Sequence, residues 1–210
     1  ATGDSARRAS VRATSIGCAL PHTIQWAAAS GARLSLLCLP HAGGAATAFR
    51  SWPHHLADVA RVGVAELPGR GHFFGLPAVR RIVDQVEWLL PDVSRIDSPF
   101  VLFGYSMGAL LALELAHALR DAHSPAPLLV MLAAHAPPDC RTGDEKLHAL
   151  ADPEFVERLA EFDGMPAEVL QHRELLQLIA PRLRADLEAC ETYAPASRTA
   201  LDVPLVVYGG

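Results

Sequence analysis

Pro99-Phe100-Val101-Leu102-Phe103-Gly104-Tyr105-Ser106-Met107-Gly108-Ala109 decides the fold of this chain. Its first half is a short apolar run bounded by proline, the pattern of a buried strand. From Ala109 to Arg120 the sequence is rich in alanine and leucine, which favours helix. Between them lies Gly-x-Ser-x-Gly. In a strand–turn–helix setting this motif puts its serine on a tight turn at the carboxyl end of the strand, with the hydroxyl clear of the sheet. Glycines on both sides let the turn close without a Cβ clash. The turn also aims the Met107 N–H and the positive end of the following helix at an oxyanion on a bound carbonyl. Ser106 is the candidate nucleophile. The pentapeptide alone is a weak signal in a chain with 15 glycines, so its flanks carry the argument.

Outward from that stretch, strands and helices alternate. Leu34 to Leu39 reads as a strand, ended by Pro40-His41-Ala42-Gly43-Gly44. A helix is expected next, with Phe49, Trp52, Leu56 and Val59 on one face and Pro53 in its first turn. Val62 to Leu67 is a second strand, broken by Pro68-Gly69-Arg70-Gly71. An amphipathic helix spans about 79–93, with Ile82, Val86, Leu89, Leu90 and Val93 inward. On the helix after Ser106, Glu114, His117 and Asp121 form a narrow stripe expected to face solvent. Leu128 to Ala133 is near-continuously apolar, as buried parallel strands are, and Leu205 to Tyr208 is the last strand. The alternation predicts an α/β fold with a mostly parallel, doubly wound sheet and right-handed crossovers.

From about 139 to 198 helices follow one another without strands. Asp152 is expected to cap one, with Pro153 at its first position, Phe155, Leu159 and Phe162 on its apolar face, and Gly164 closing it. Further helices are expected to open at Pro166, Arg173 and Pro181. Helices inserted there form a lid over the strand ends, where ligands of such sheets bind.

With 210 residues the chain is one domain, expected over 23–210, with a disordered leader over 1–22. A net charge of −5 without Lys/Arg runs argues against a nucleic-acid partner. No apolar stretch reaches the roughly 18 residues of a membrane span. Cys18, Cys38, Cys140 and Cys190 are scattered, as reduced thiols of a cytoplasmic protein would be, and the ten histidines show no metal-ligand spacing, so no metal is expected.

The turn after the Leu34–Leu39 strand is where this architecture supplies its second oxyanion donor, and the Ala42 N–H is the choice. Small residues at Gly43 and Gly44 allow close backbone approach, and His41 shapes the turn. Serine needs a histidine to take its proton and a carboxylate to orient that histidine. None of His117, His123, His135, His148 and His172 follows the last strand, where the base is expected. Asp139 is the alternative acid in a variant layout.

Together Leu39 to Gly44, Glu66 to Gly71, Phe103 to Ala109 and Pro204 to Gly210, with Leu183-Arg184-Ala185-Asp186-Leu187 and Glu191-Thr192-Tyr193, resemble the type II thioesterases that accompany nonribosomal peptide and polyketide synthases. The resemblance runs from about Arg33 to Gly210; His72-Phe73-Phe74 departs from the charged residues usual in the family. It implies an α/β-hydrolase that cleaves acyl thioesters from the phosphopantetheine of acyl or peptidyl carrier proteins, with no other cofactor; separately, the protein is expected to be a monomer. Ser106 takes the nucleophile's place, Ala42 and Met107 the oxyanion hole, and Tyr105 lies in the turn. Carrier proteins are acidic near their attachment serine, so Arg50, Arg70, Arg80 and Arg81 are docking candidates. The resemblance also implies that the triad acid and histidine lie beyond Gly210, with the final strand and helix. Without them hydrolysis is expected to fall on the order of 10⁶-fold, and an apolar sheet edge is left unpaired. Alternatives are a general serine esterase or acyltransferase, and a non-catalytic acyl- or carrier-binding remnant.

Overall fold

Leu34–Leu39 (β2) shows why this sequence makes a two-faced sheet. Its side chains alternate, so Leu37 and Leu39 join one buried cluster while Leu36 and Cys38 join another on the opposite face. Phe100–Tyr105 (β4) divides in the same way, with Phe100 and Leu102 on one face and Val101 and Phe103 on the other. A strand apolar on both faces must be covered on both. The structure, a computed structural model, describes residues 22–28, 31–97, 99–136, 146–160 and 172–209. The leader expected over 1–22 lies outside them apart from His22, as do Asp139, Cys140, Phe162, Gly164 and Pro166.

The sheet has six strands in the order β1-β3-β2-β4-β5-β6. The remaining strands are Ile24–Trp26 (β1), Ala60–Ala65 (β3), Leu129–Ala133 (β5) and Leu205–Tyr208 (β6). All neighbours are parallel except β1, which pairs antiparallel with β3. On one face lie the helices Ile82–Val93 (α2) and Met107–Asp121 (α3), burying Ile82, Val86, Leu89, Val93, Leu111 and Leu115. On the other, Phe49 and the single turn Trp52–His55 (α1) pack against β2, β3 and β4. Beside them an apolar cavity of about 570 Å³ is lined by Trp52, Leu56, Phe103, Met131 and Tyr208 among others. On β6, Leu205, Val207 and Tyr208 are exposed. After β2 the chain turns towards β3, and after β4 towards β5 on the other side. The crevice between those departures is where ligands of an open parallel sheet bind.

Several expectations are corrected. The strand expected at 62–67 is Ala60–Ala65: Ala60 and Arg61 already pair with Leu34 and Ser35 of β2. The long helix expected after Gly44 is a 3-10 turn, Ala46–Phe49, followed by α1 alone. Val59 is consequently exposed, since the Val59 N–H closes a turn onto Leu56 and the chain then enters β3. The helix expected from 79 starts at Ile82, after extended Arg81. The helices expected from Arg173 and Pro181 are one, Arg173–Glu191 (α5), which runs through Pro181. Leu176 and Leu183, on either side of the proline, are both buried, and that packing outweighs one lost backbone bond. Asp152 opens the helix Asp152–Ala160 (α4) and pairs with Arg184 at 2.8 Å. The stripe on α3 does not face water throughout. Glu114 is buried, accepts a hydrogen bond from the Tyr193 hydroxyl at 2.7 Å and pairs with Arg198 at 2.9 Å.

Phe155 and Leu159 of α4 meet Leu183 of α5 in a separate apolar cluster that also touches Ala42. The described part of the 139–198 insertion therefore sits on the turn after β2, at the carboxyl ends of the strands. Among the described residues, no helix is long and apolar enough to cross a membrane.

Candidate active site

Ser106 stands between β4 and α3 with φ 55° and ψ −117°, a left-handed conformation unusual for a residue with a side chain. Backbone bonds hold it there. Its N–H donates to the Ala133 carbonyl at 2.8 Å, and its carbonyl accepts the Ala109 N–H at 2.8 Å. The motif glycines are required by close packing. A Cβ on Gly104 would collide with the Gly108 carbonyl, and one on Gly108 with the Leu39 carbonyl. The elbow is therefore pressed directly onto the end of β2, where the Pro40–Gly44 turn begins.

Within that turn the N–H groups divide sharply. The Gly44 N–H donates to the His41 carbonyl at 2.9 Å, and the Gly43 N–H to Asp186 Oδ2 on α5 at 2.7 Å. Among the described residues nothing accepts the Ala42 N–H, nor the Met107 N–H at the head of α3. These two donors, one on each turn, flank the crevice, and Met107 lies at the positive end of a 15-residue helix. His41 and Tyr105 meet edge to face across it, ring centres 5.8 Å apart. Burial holds the His41 imidazole below its ordinary pKa, opposed by Asp186 and reinforced by Arg70, so the ring is neutral at pH 7.

The sequence-derived candidates Tyr105 and His41 are thus brought together, Met107 and Ala42 join one apolar cluster, and Ser106 lies between Tyr105 and Met107. Among the described residues, no imidazole or carboxylate hydrogen-bonds the Ser106 hydroxyl. His135 Nδ1 contacts the Ala136 carbonyl at 2.6 Å, and His148 Nδ1 contacts Glu191 at 2.5 Å.

Arg70 is not a docking residue. It is 1% exposed, donating through Nη1 to the Gly44 carbonyl at 3.0 Å and through Nη2 to Asp186 Oδ1 at 2.7 Å. Arg50, Arg80 and Arg81 are exposed; Arg80 pairs with Glu188 on α5, and Arg81 with Asp84 at 3.5 Å. The residue that sequence reasoning left without a role is Asp186, fully buried on α5. A signal was present. Leu183, Asp186 and Ala189 share one helix face, and a carboxylate on an apolar face must find a partner.

Comparison with known proteins agrees with this geometry. A family model described as "Thioesterase domain" matches residues 35–208. The gramicidin S biosynthesis protein GrsT of Aneurinibacillus migulanus is 33% identical, over 86% of this chain and 71% of its own. The type II thioesterase BorB from the borrelidin biosynthetic cluster superposes with a TM-score of 0.77 at 32% identity, covering 88% of this chain and 76% of that one. RedJ, a thioesterase from the prodiginine pathway of Streptomyces coelicolor, also reaches 0.77, at 34% identity over 84% of this chain and 70% of its own. With a family model over residues 35–208 and relatives of 32–34% identity that share its fold, the chain belongs to the thioesterase family, α/β-hydrolases that cleave thioesters.

Proposed function

We propose that this protein releases acyl groups from the phosphopantetheine thiol of carrier proteins in nonribosomal peptide or polyketide synthesis. The observation that carries the reading is Ser106, held at positive φ at the head of α3 beside a turn whose Ala42 N–H has no acceptor among the described residues. In this reading the Ser106 oxygen attacks the thioester carbonyl carbon while a general base takes its proton. The carbonyl oxygen gains charge and is met by the Ala42 and Met107 N–H groups. Collapse of that intermediate breaks the C–S bond. The sulfur leaves as the carrier's thiol after protonation, and water then hydrolyses the serine ester to a free acid and the original hydroxyl. No redox step and no further cofactor enter. The names of the relatives, biosynthetic thioesterases among them, support the carrier-bound substrate. Arg50, Arg80 and Arg81 are the remaining exposed candidates to meet an acidic carrier.

The test is acyl release from a loaded carrier protein by the full-length protein, beside a small thioester and a small oxygen ester. Ser106→Ala is expected to lower kcat by about 10⁴-fold or more while leaving the fold intact. Activity within tenfold of the parent rules out the serine. Reversing Arg80 and Arg81 to glutamate is expected to lower kcat/KM for the loaded carrier by about tenfold at low salt, and much less at high salt. Equal preference for all three substrates favours a general esterase.

A further inference from the structure

The Pro40–Gly44 turn is held from outside by a closed set of bonds. Arg70, from the turn after β3, grips the Gly44 carbonyl and the Asp186 carboxylate, and Asp186 in turn accepts the Gly43 N–H. Arg70 and Asp186 are 1% and 0% exposed. The Arg70 Nε is buried with no partner, so among the described residues the polar contacts of this guanidinium go to the turn and to its counter-ion. Gly43 has φ +73° and, like Gly44, no side chain to restrict it. Left to itself, such a dipeptide samples many conformations.

We propose that Arg70 and Asp186 are positioning residues for thioester cleavage, fixing the Gly43–Gly44 backbone so that the Ala42 N–H is presented to the oxyanion. This rests on the serine and oxyanion assignments above. Stability alone is a poor explanation of the pair. Two charges withdrawn from water lose about as much hydration energy as they regain, and apolar side chains of similar volume often serve a core as well or better. What apolar side chains cannot do is bind an N–H and a carbonyl on successive residues. By taking the Gly43 N–H, Asp186 also removes the competing donor next to Ala42. Arg182, one turn before Asp186 on α5, lies within electrostatic reach of both members. The lid helix α5 thereby becomes part of the catalytic frame, and a donor set in place before reaction needs no reorganisation in the transition state.

The test compares Asp186→Asn and the double variant Arg70→Met/Asp186→Leu with the parent in the full-length protein. The double variant is expected to fold, with Tm within about 5 °C of the parent. Both variants are expected to lose about 10- to 100-fold in kcat with KM within about threefold. An alkylboronic acid, whose adduct mimics the tetrahedral intermediate, is expected to lose affinity by the same factor. A thioether analogue of the acyl-pantetheine substrate is expected to bind as before. A purely structural pair would be rescued by the apolar replacement. A double variant that folds with parental kcat, one that fails to fold, or equal losses of boronate and thioether affinity would each overturn the proposal. Ser106→Ala separates the two readings. Turnover surviving in it removes the serine assignment and the clamp with it, whereas an inactive Ser106→Ala beside a fully active double variant removes the clamp alone.

Discussion

The two turns that meet at the crevice are held by opposite means. The elbow at Ser106 is secured through the backbone, with two glycines that admit no Cβ against the main chain of β2 and α3 and with main-chain bonds to β5 and to its own helix. The Pro40–Gly44 turn is secured by side chains remote in sequence, and Asp186 stands 143 residues from the Gly43 it binds. The comparison teaches that one half of the site is held by main-chain packing around a recognisable pentapeptide, and the other half by side chains brought from another helix.

The contrast breaks most visibly at the glycines. Gly108→Ala drives a methyl into the Leu39 carbonyl, which is backbone and cannot give way. The expected loss is more than about 4 kcal/mol of stability, seen as absence of folded protein or as a collapse of Tm. Gly43→Ala meets only the Leu183 Cδ1 tip at 3.1 Å, the end of a flexible side chain, so its cost is mainly the φ of +73°. About 1 kcal/mol, or a Tm lower by about 2–4 °C, is expected. Adding Leu183→Ala brings no rescue, because the strain is in the backbone; recovery of Tm in the double variant would show it to be steric.

The smallest effect is electrostatic and sharpens the picture of the turn. Burial depresses the pKa of His41 below 6.5 in the folded chain, so below that pH the unfolded chain binds more protons than the folded one. Stability is therefore expected to fall as pH drops from 7 towards 5, with the loss beginning at the unfolded value. His41→Gln removes that component. Thermal or urea unfolding at pH 7 and pH 5 is expected to show a smaller difference in the variant, and an unchanged difference would mean the imidazole is solvated.

How much of this was legible follows from the same division. β2, β4, β5 and β6 were readable as apolar runs, and Ser106 as the serine between a strand and a helix. β1 was missed because three residues, Ile24–Trp26, are too short for periodicity to register; their strand character comes from pairing with β3. Pro181 reads as a helix opener because local propensity cannot see the burial of Leu176 and Leu183 that carries α5 through it. Arg70 misled for a similar reason. An arginine between two glycines reads as an exposed turn, whereas its pairing with Asp186 of α5 makes it interior. The carboxylate was detectable by its place on an apolar helix face, but the identity of its partner was not.

The bond between Tyr193 and Glu114 has an optical consequence. Burial, together with the adjacent carboxylate, holds the Tyr193 phenol above its ordinary pKa, so its proton stays in place as long as the segment after α5 remains strapped to α3. Deprotonating Tyr193 would set a phenolate against the Glu114 carboxylate, so the ultraviolet absorbance of the phenolate at alkaline pH is linked to the loosening of the segment after α5 from α3.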